Sequence, residues 1–412
     1  MPDALTLIKK SNFYQDIVIK FLSKMVNGQL YLTLHDGQSI TIGDGKDALR
    51  ANITVNNEEF YKRCILFGDI GFGEAYVDGL WDTDNITNVI KWVLLNIENA
   101  PNLSGSKAQA AGLNLLKMYN KLVHFKRANT VEGSKKNISA HYDLNNDFFA
   151  SFLDPTMTYS SAYFYKDGIS LEEAQLAKYE RLCKQLRLKP TDHVLEIGSG
   201  WGGNAIYIAK NYGCKVTSLT ISEEQAKLAR ERVTEAGLDG KVEILLKDYR
   251  ELDGTYDKIV SIEMLEAVGD AFLDVYFRQV NSLLKKNGLL AIQVITSPDS
   301  RYESLKKGVD WIQKHIFPGS LLPSVAAING AINRTSDMTL VDLKDLGLHY
   351  AETLRLWFVQ FNANLTKAKK LGFDDTFVRK WNYYLCYCEA AFAMRNINVM
   401  HLVYTRPNNL EW

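Results

Sequence analysis

The chain has 412 residues, of which 46% are hydrophobic and 23% are charged, and its 48 basic and 48 acidic side chains balance to no net charge. This composition is typical of a folded globular protein and excludes a disordered, collagen-like or coiled-coil chain. The length exceeds what one hydrophobic core usually organises, so we expect two domains. The neutral balance gives no indication of a nucleic-acid partner.

The five cysteines are odd in number and scattered, which predicts reduced thiols and not a disulfide framework. Cys386 and Cys388 are too close in sequence for the usual zinc pair, so no metal site is expected. The N-terminal residues lack the basic and apolar regions of a signal peptide, and no apolar run is long enough to cross a membrane. We therefore expect a cytoplasmic chain whose contact with a membrane is peripheral.

The first 98 residues mix short β-type runs, such as residues 30–34, with Gly and Asn turns and a helical pattern over residues 86–95. This mixture predicts a small N-terminal α+β domain. Residues 99–136 are rich in Ser, Gly and Asn, which is the composition of a linker, around a helix near residues 108–125. The remaining residues, 137–412, are assigned to a larger second domain.

Within this larger domain, apolar strand patterns alternate with helical patterns from about residue 190 onward. The predicted strands cover residues 193–197, 215–220, 242–246, 256–262 and 289–295, and helices are predicted over residues 202–212 and 222–236. Residues 300–385 are expected to be mostly helical, and residues 399–406 to form a closing strand. Such alternation is typical of an α/β fold with a doubly wound, mostly parallel sheet, which binds ligands beyond the carboxyl ends of its strands.

A Gly-rich turn, Glu196-Ile197-Gly198-Ser199-Gly200-Trp201-Gly202-Gly203, follows the first of these strands and opens a helix. Glycine permits positive φ and lets a ligand approach the backbone closely. A dinucleotide site would place an acid about 20 positions later, but the second strand ends in Ser218-Leu219-Thr220. Glu196 instead precedes the turn, where a methyltransferase carboxylate would face the amino acid part of its cofactor. We therefore favour S-adenosylmethionine over a dinucleotide and over a turn that binds nothing.

Several motifs, in order along the chain, resemble the cyclopropane fatty acid synthases and the related mycolic acid methyltransferases. They are His141-Tyr142-Asp143-Leu144-Asn145-Asn146-Asp147-Phe148-Phe149, Tyr159-Ser160-Ser161, Leu219-Thr220-Ile221-Ser222-Glu223-Glu224-Gln225, Asp248-Tyr249-Arg250, Glu263-Met264-Leu265-Glu266-Ala267-Val268-Gly269 and Ile316-Phe317-Pro318-Gly319. The resemblance extends over about residues 137–406. It implies a class I, Rossmann-like methyltransferase fold for the larger domain. Residues 68–76 resemble the small domain of longer members, for which lipid presentation and dimer assembly are expected.

The resemblance also implies which residues line the S-adenosylmethionine site. Carried over residue by residue, and joined by Glu196, these are Tyr159, Ser160, Gly198, Gly200, Thr220, Ile221, Gln225, Tyr249 and Arg250. Gln225 and the turn at residues 220–221 are expected near the ribose, and an aromatic ring can stack on the adenine.

Membership of this family implies that a cis double bond of an acyl chain attacks the sulfonium methyl. The resulting carbocation then loses a proton as a cyclopropane ring closes. In the family a bound bicarbonate takes that proton. The matching positions here are Glu266, Ile295 and Tyr350, with Ser161 in place of a Cys and Gln293 in place of a His, as in the plant-type cyclopropane synthases. Gln293 can donate a hydrogen bond but cannot become a cation, so the expected anion site is altered.

These two replacements leave alternatives open. If the base is missing or displaced, the same cation yields a methyl-branched or methylene product. A lipid-binding protein without catalysis and an O- or N-methyltransferase of small molecules are further alternatives, and Gln293, Ile295 and Glu266 could be purely structural. Our first choice is ring formation on unsaturated phospholipid acyl chains at the inner membrane surface, by a homodimer.

Overall fold

A computed structural model of the chain describes residues 13–97, 145–410 and 412. The helix predicted near residues 108–125 and residues 141–144 of the first motif lie outside these ranges. The described residues form two compact units. The first contains residues 13–97, 308–316 and 369–396, and the second contains residues 145–307, 317–368, 397–410 and 412.

The first unit contains a four-stranded sheet together with helices Phe13–Leu22, Glu59–Val77 and Ile86–Leu95. The strands are β1 (Gln29–Thr33), β2 (Ser39–Ile42), β3 (Arg50–Val55) and β4 (Trp81–Asp82), in the order β2-β1-β3-β4. Alternate residues of β1, Leu30 and Leu32, are fully buried, as the period of a strand requires. The predicted α+β character of this part of the chain is confirmed.

Two helices from the second half of the chain also belong to the first unit, Trp311–His315 and Asp375–Ala393. The longer one packs against the helix Ile86–Leu95, where the Thr87 hydroxyl donates to the Glu389 carboxylate at 2.9 Å. The sequence-based boundary differs, because it placed both helices in the larger domain. The apolar periodicity of a helix predicts that it is buried, but it does not predict which core buries it.

The second unit is built on a seven-stranded sheet. Its strands are β5 (His193–Ile197), β6 (Lys215–Thr220), β7 (Val242–Leu246), β8 (Tyr256–Ile262), β9 (Leu284–Thr296), β10 (Thr339–Asp345) and β11 (Asn398–Thr405). Their order is β10-β11-β9-β8-β5-β6-β7. β11 runs antiparallel to both of its neighbours, whereas β5 to β9 pair in parallel. The predicted doubly wound, mostly parallel sheet is confirmed, and its strand order reverses between β5 and β8.

Helices cover both faces of this sheet. Leu171–Gln185, Gly203–Tyr212 and Glu223–Glu235 pack on one face, and Leu273–Leu283 and Val325–Thr335 pack on the other. Successive residues of β5 point to opposite faces of the sheet, so that Val194 packs in the core under the first three helices and Leu195 in the core under the other two. The shorter helices are Asn146–Phe149, Asp299–Leu305 and Leu365–Lys370, and a longer helix, Gly347–Ala363, follows β10. Among the described residues, no helix combines the length and apolar composition that a membrane span needs.

The first four predicted strands of the sheet agree with the structure residue for residue, but β9 begins five residues earlier than predicted and β10 was not predicted. β10 lies at the edge of the sheet, within a region that was expected to be mostly helical. Its side chains include Asp342, Lys344 and Asp345, and charged residues are common on edge strands because one side faces solvent. These charged residues interrupt the apolar pattern of β10, and the strand was therefore not predicted.

Candidate active site

The carboxyl ends of the parallel strands are joined by hydrogen bonds into one edge of the sheet. The Gly198 amide after β5 donates to the Leu219 carbonyl on β6 at 3.0 Å. The Glu263 amide after β8 donates to the Gln293 carbonyl on β9 at 2.8 Å. The segments that follow these strands therefore lie side by side, where a doubly wound sheet binds its ligand.

The Gly-rich turn has the backbone geometry that only glycine adopts easily. Gly198, Gly200 and Gly202 have φ values of +100°, +48° and +84°. Gly203 has a different role, because a Cβ there would lie 2.7 Å from the carbonyl oxygen of Thr156. The final glycine of the motif thus permits close packing of a neighbouring segment.

Glu196, at the end of β5, is 1% exposed and is held from two sides. The Asn204 amide donates to Oε1 at 2.7 Å, and the Ser218 hydroxyl donates to Oε2. Burial raises the pKa of Glu196 to about 7, although these hydrogen bonds and the charge of Lys178 act in the opposite direction. A buried carboxylate of this kind favours a cationic ligand, because the ligand would restore its full charge.

Lys178 is a functional candidate that the sequence analysis missed. It is fully buried on the helix Leu171–Gln185, and its ammonium donates to the Ser160 hydroxyl at 2.7 Å. Burial lowers the pKa of Lys178 to about 7, and the carboxylates of Glu263, Asp154 and Glu196 oppose that change. The sequence carried no signal for it, because a lysine within a helix is ordinarily exposed.

The ribose candidates lie at the end of β6. The Thr220 hydroxyl donates to the Gln225 side-chain oxygen at 2.9 Å, and both side chains are buried. Ser222 caps the helix Glu223–Glu235 by accepting from the Gln225 amide, so Gln225 lies in the first turn of that helix. Ile221, between them, is partly exposed.

Tyr249 and Arg250 follow β7 and are brought close to the same edge, since the Lys247 amide donates to the Thr220 carbonyl at 3.0 Å. The Tyr249 ring packs edge-on against Tyr276, with 5.2 Å between ring centroids, and burial raises its pKa to about 12. The Arg250 guanidinium lies over the Tyr249 ring at 5.5 Å. Tyr249 is therefore a fixed, partly buried ring and not a free surface tyrosine.

Tyr159 belongs to an aromatic cluster of Phe149, Tyr159, Tyr350 and Trp357. The Tyr159 ring lies 5.2 Å from both Phe149 and Trp357, and Trp357 lies 5.9 Å from Tyr350, between centroids. The cluster forms an apolar wall that begins next to Ser160 and Ser161 in sequence and ends at Tyr350.

Glu263, the first residue after β8, accepts hydrogen bonds from groups that were expected to bind a small anion. Its Oε1 accepts from the Ser161 amide at 2.8 Å and from the Gln293 side-chain amide at 2.7 Å. The Tyr350 hydroxyl also hydrogen-bonds to this carboxylate. Three of the five predicted anion-site residues therefore meet at Glu263, which the sequence analysis quoted within a motif but did not select.

The orientation of Gln293 is fixed from behind by His401 on β11. The ring nitrogen Nε2 of His401 lies 2.7 Å from Oε1 of Gln293, and burial lowers the pKa of His401 well below its ordinary value. The neutral ring therefore donates its Nε2 proton to Gln293, which directs the Gln293 NH2 group toward Glu263. His401 was not predicted, because it lies more than 100 residues from its partner in sequence.

Glu266 is placed differently from Glu263. Its Oε1 accepts from the Ile295 amide at 2.5 Å, whereas Oε2 is buried with no hydrogen-bond partner among the described residues. Burial, followed by the nearby charge of Glu263, raises the pKa of Glu266 to about 8. Burial raises the pKa of both carboxylates, but the two differ in their hydrogen-bond donors, which are more numerous at Glu263.

The turn that holds Glu263 and Glu266, here called the carboxylate turn, is in contact with the Gly-rich turn. A Cβ on Gly198 would lie 3.3 Å from the Met264 side chain, between the two carboxylates in sequence. The structure thus brings the predicted cofactor residues and the predicted catalytic residues to one edge of the sheet. Glu263, Lys178 and His401 are added to them.

Comparison with known proteins gives a consistent picture. The family model described as mycolic acid cyclopropane synthetase matches residues 130–402. The tuberculostearic acid methyltransferase UfaA1 of Mycobacterium tuberculosis is 40% identical over 342 residues, which cover 81% of this chain and 78% of that protein. The cyclopropane-fatty-acyl-phospholipid synthase of Escherichia coli is 40% identical over 359 residues, which cover 86% of this chain and 88% of that protein.

A similar fold is found among solved structures. The mycolic acid cyclopropane synthase CmaA1, complexed with SAH and CTAB, matches with a TM-score of 0.61 and 31% sequence identity. The match covers 66% of this chain and 98% of that one.

Proposed function

The chain belongs to the mycolic acid cyclopropane synthetase family and is an S-adenosylmethionine-dependent methyltransferase, and we propose that it closes cyclopropane rings on unsaturated phospholipid acyl chains. The proposed reaction transfers a methyl group to a cis double bond and then removes a proton. The relative in Escherichia coli, which carries the name of that activity, supports the phospholipid substrate.

The observation that carries this proposal is the contact between the Gly-rich turn and the turn that holds Glu263 and Glu266. The side chain of Met264, between these two carboxylates, packs 3.3 Å from where a Cβ of Gly198 would be. A reaction that first transfers a methyl group and then takes a proton from the product needs a methyl-donor site and a base side by side. An O- or N-methyltransferase of small molecules has less need of a buried pair of carboxylates.

The residues at the first turn fit S-adenosylmethionine. When bound, this cofactor supplies an electrophilic methyl group on a sulfonium. Glu196 would hold its ammonium group, since Glu196 is buried and its nearest hydrogen-bond donors are neutral. Thr220, Ile221 and Gln225 would contact the ribose. Tyr249 and Arg250 would flank the adenine, and Tyr159 and Ser160 would line the remaining side.

The aromatic cluster would form the acyl-chain side of the site. An alkene is a weak nucleophile, so it must be held in line with the methyl group while water, which would trap the carbocation, is excluded. Trp357 is fully buried, and the rings around it provide both the apolar surface and the electron-rich faces that stabilise a cation. The sequence alone could not assign any ring to this role.

Bicarbonate, the base that the family resemblance implies, does not fit the residues present. The Ser161 amide, the Gln293 side-chain amide and the Tyr350 hydroxyl already bind Glu263, and the Ile295 amide already binds Glu266. A further anion would meet two carboxylates and no uncommitted donor from this set. We derive no step through it.

A methyl-branched or methylene product remains the second candidate. It is favoured by Ser161 and Gln293, which stand where the family has a Cys and a His, and by the 40% identity to the tuberculostearic acid methyltransferase UfaA1. The difference between the products depends on which proton the carbocation loses, and therefore on where the base lies.

The test is an assay of the purified protein with S-adenosylmethionine and vesicles of dioleoyl phospholipid, with saturated phospholipid as the control substrate. We expect acyl chains that gain one CH2 group and resist mild hydrogenation. A product that takes up hydrogen would support the second candidate, and absence of any product on unsaturated lipid would contradict both. Sedimentation with the vesicles would test the predicted peripheral membrane binding, and mass photometry would test the predicted homodimer. We propose that the first unit contributes to both, so the same two measurements bear on its role.

A further inference from the structure

We infer that the Glu263 carboxylate is the base that takes the proton in this enzyme, in place of a bound bicarbonate. The inference rests on the proposed function, because it names the base of that reaction. Glu263 would be a catalytic residue that the family resemblance does not assign.

The first support is that Glu263 occupies the position of an anion. Donors from three separate segments point to it: the amide of Ser161, the side chain of Gln293 on β9, and the hydroxyl of Tyr350 on the helix Gly347–Ala363. None of these three donors is cationic. These neutral donors suit a carboxylate that is covalently part of the protein chain.

The second support is that these donors are themselves fixed. Gln293 is completely buried, accepts from His401 at 2.7 Å, and also donates to the Ser161 carbonyl at 3.1 Å. Its NH2 group therefore spans Ser161 and Glu263 and cannot rotate without losing hydrogen bonds on both sides. Ser161 and Gln293, the two departures from the family pattern, thus act together on one carboxylate.

The third support is the backbone at Glu263. Its φ is +48°, a left-handed conformation that is unfavourable for a residue with a side chain. Such conformations persist where the surroundings fix them, and they are concentrated at functional sites. A glycine would adopt this conformation without strain, so the glutamate side chain has a reason to be there.

The charges around Glu263 favour a division of roles with Glu266. Lys178 faces Glu263 from the helix Leu171–Gln185 and, with the three donors, opposes the rise in the pKa of Glu263 that burial causes. Glu266 lies on the same turn, accepts from the Ile295 amide, and has a pKa raised to about 8 by burial and by the charge of Glu263. The pKa of Glu263 is raised by burial, but its three hydrogen-bond donors and the charge of Lys178 stabilise the ionised form, which can accept a proton. Glu266 lacks this set of donors, and its Oε2 has no hydrogen-bond partner among the described residues.

The proposed step conserves atoms and charge. After methyl transfer, the new carbon–carbon bond joins the methyl carbon to one former alkene carbon, and the other alkene carbon is cationic. One C–H bond of the transferred methyl breaks, its electron pair forms the third ring bond to the cationic carbon, and the proton passes to the Glu263 carboxylate. The products are a neutral cyclopropane and a neutral carboxylic acid, which returns its proton to water.

The test compares wild type with Glu263→Gln and Glu263→Gly, in buffer freed of carbon dioxide and in buffer with added bicarbonate. We expect wild-type turnover on dioleoyl phospholipid vesicles to be the same in both buffers. Both variants should lose roughly 10²- to 10⁴-fold in kcat, which is the range of a general base. Bicarbonate or formate should restore part of the activity of Glu263→Gly, because that change removes the carboxylate and leaves its three hydrogen-bond donors without an acceptor. It should not rescue Glu263→Gln, whose amide still fills the space.

Glu243→Gln, an exposed glutamate on β7, is the matched control and should keep wild-type activity. Wild-type turnover that disappears without bicarbonate would overturn the inference, and so would wild-type kcat in Glu263→Gln. Binding of S-adenosylhomocysteine by each variant reports whether that variant folds. Even if neither variant folds, the presence or absence of a bicarbonate requirement in the wild type decides whether Glu263 or bicarbonate is the base. If wild type forms no product on any unsaturated lipid, the proposed function fails instead.

Discussion

Replacement of Glu196 by Gln should weaken the binding of S-adenosylhomocysteine and remove its pH dependence. The carboxylate accepts from Asn204 and Ser218, so an amide at this position must turn one NH2 proton toward one of these donors. The lost charge-assisted contact to the ligand ammonium corresponds to about 1.5–3 kcal/mol. That range predicts a dissociation constant roughly 10- to 100-fold higher than that of the wild type.

The sign of the pH dependence follows from the protonation state that binds. Burial raises the pKa of Glu196 to about 7 in the ligand-free protein, so the side chain is mostly neutral in acid. The ammonium of the ligand requires the ionised form. Wild-type affinity should therefore reach a plateau above neutral pH and fall by about tenfold per pH unit below it. The variant has no titrating group at this position, so its affinity should change little over the same range.

Isothermal titration calorimetry in two buffers of different ionisation enthalpy measures both the affinity and the protons released. Lys178 also has a pKa near 7. The difference between wild type and variant, and not the wild-type curve alone, is therefore the quantity to compare. If the variant binds within about threefold of the wild type, a change below about 0.7 kcal/mol, the assignment of Glu196 to the ligand ammonium is refuted.

Three further changes test the packing around the site and in the first unit, each by chemical denaturation. Gly203→Ala should lower the free energy of unfolding by about 1–3 kcal/mol, because its Cβ would lie 2.7 Å from the Thr156 oxygen. Gly240→Ala, where no atom lies within 4 Å, is its control and should have little effect. His401→Phe should cost about 1–3 kcal/mol by leaving the buried Gln293 oxygen without a donor, and an unchanged stability would contradict the hydrogen bond. Arg379→Ala should cost about 1.5–3 kcal/mol, because its guanidinium donates to backbone carbonyls at 2.7 and 3.0 Å, and Arg379→Lys should recover only part of this.

The sheet of the second unit could be predicted from sequence because its inner strands are buried on both faces. Segments of five to seven residues that are rich in apolar and β-branched side chains gave β5, β6 and β8 with their ends, and they gave β7 at the edge of the sheet as well. β10 was not predicted because three of its seven residues, Asp342, Lys344 and Asp345, are charged and interrupt its apolar pattern. The helix Asp375–Ala393 was recognised as part of a helical region but assigned to the wrong core, since its partner Ile86–Leu95 lies almost 300 residues away.

Among the proposed cofactor residues, Glu196 and the glycines after it were accessible to sequence reasoning because they lie at the end of a strand and in the turn that follows it. The other proposed cofactor residues came from the family resemblance. A strand end and the turn after it can be located by counting along the chain, as with Glu196 and the glycines behind it. Lys178 and His401 could not be found in this way. They reach the site from the middle of a helix and from the middle of a strand, and the side chain they contact is set by the tertiary fold.

The carboxylate turn shows what a family motif leaves undetermined. A motif states which positions surround a site, and on that basis Ser161 and Gln293 read as two weakened ligands of a missing anion. In the structure the same two residues donate to Glu263, so the apparent losses and the additional carboxylate form one arrangement. If that arrangement supplies the base, the departures from the family pattern are no evidence for a lost ring closure. They indicate a base that is covalently part of the chain, fixed at one distance from the Gly-rich turn, and independent of the bicarbonate concentration around it.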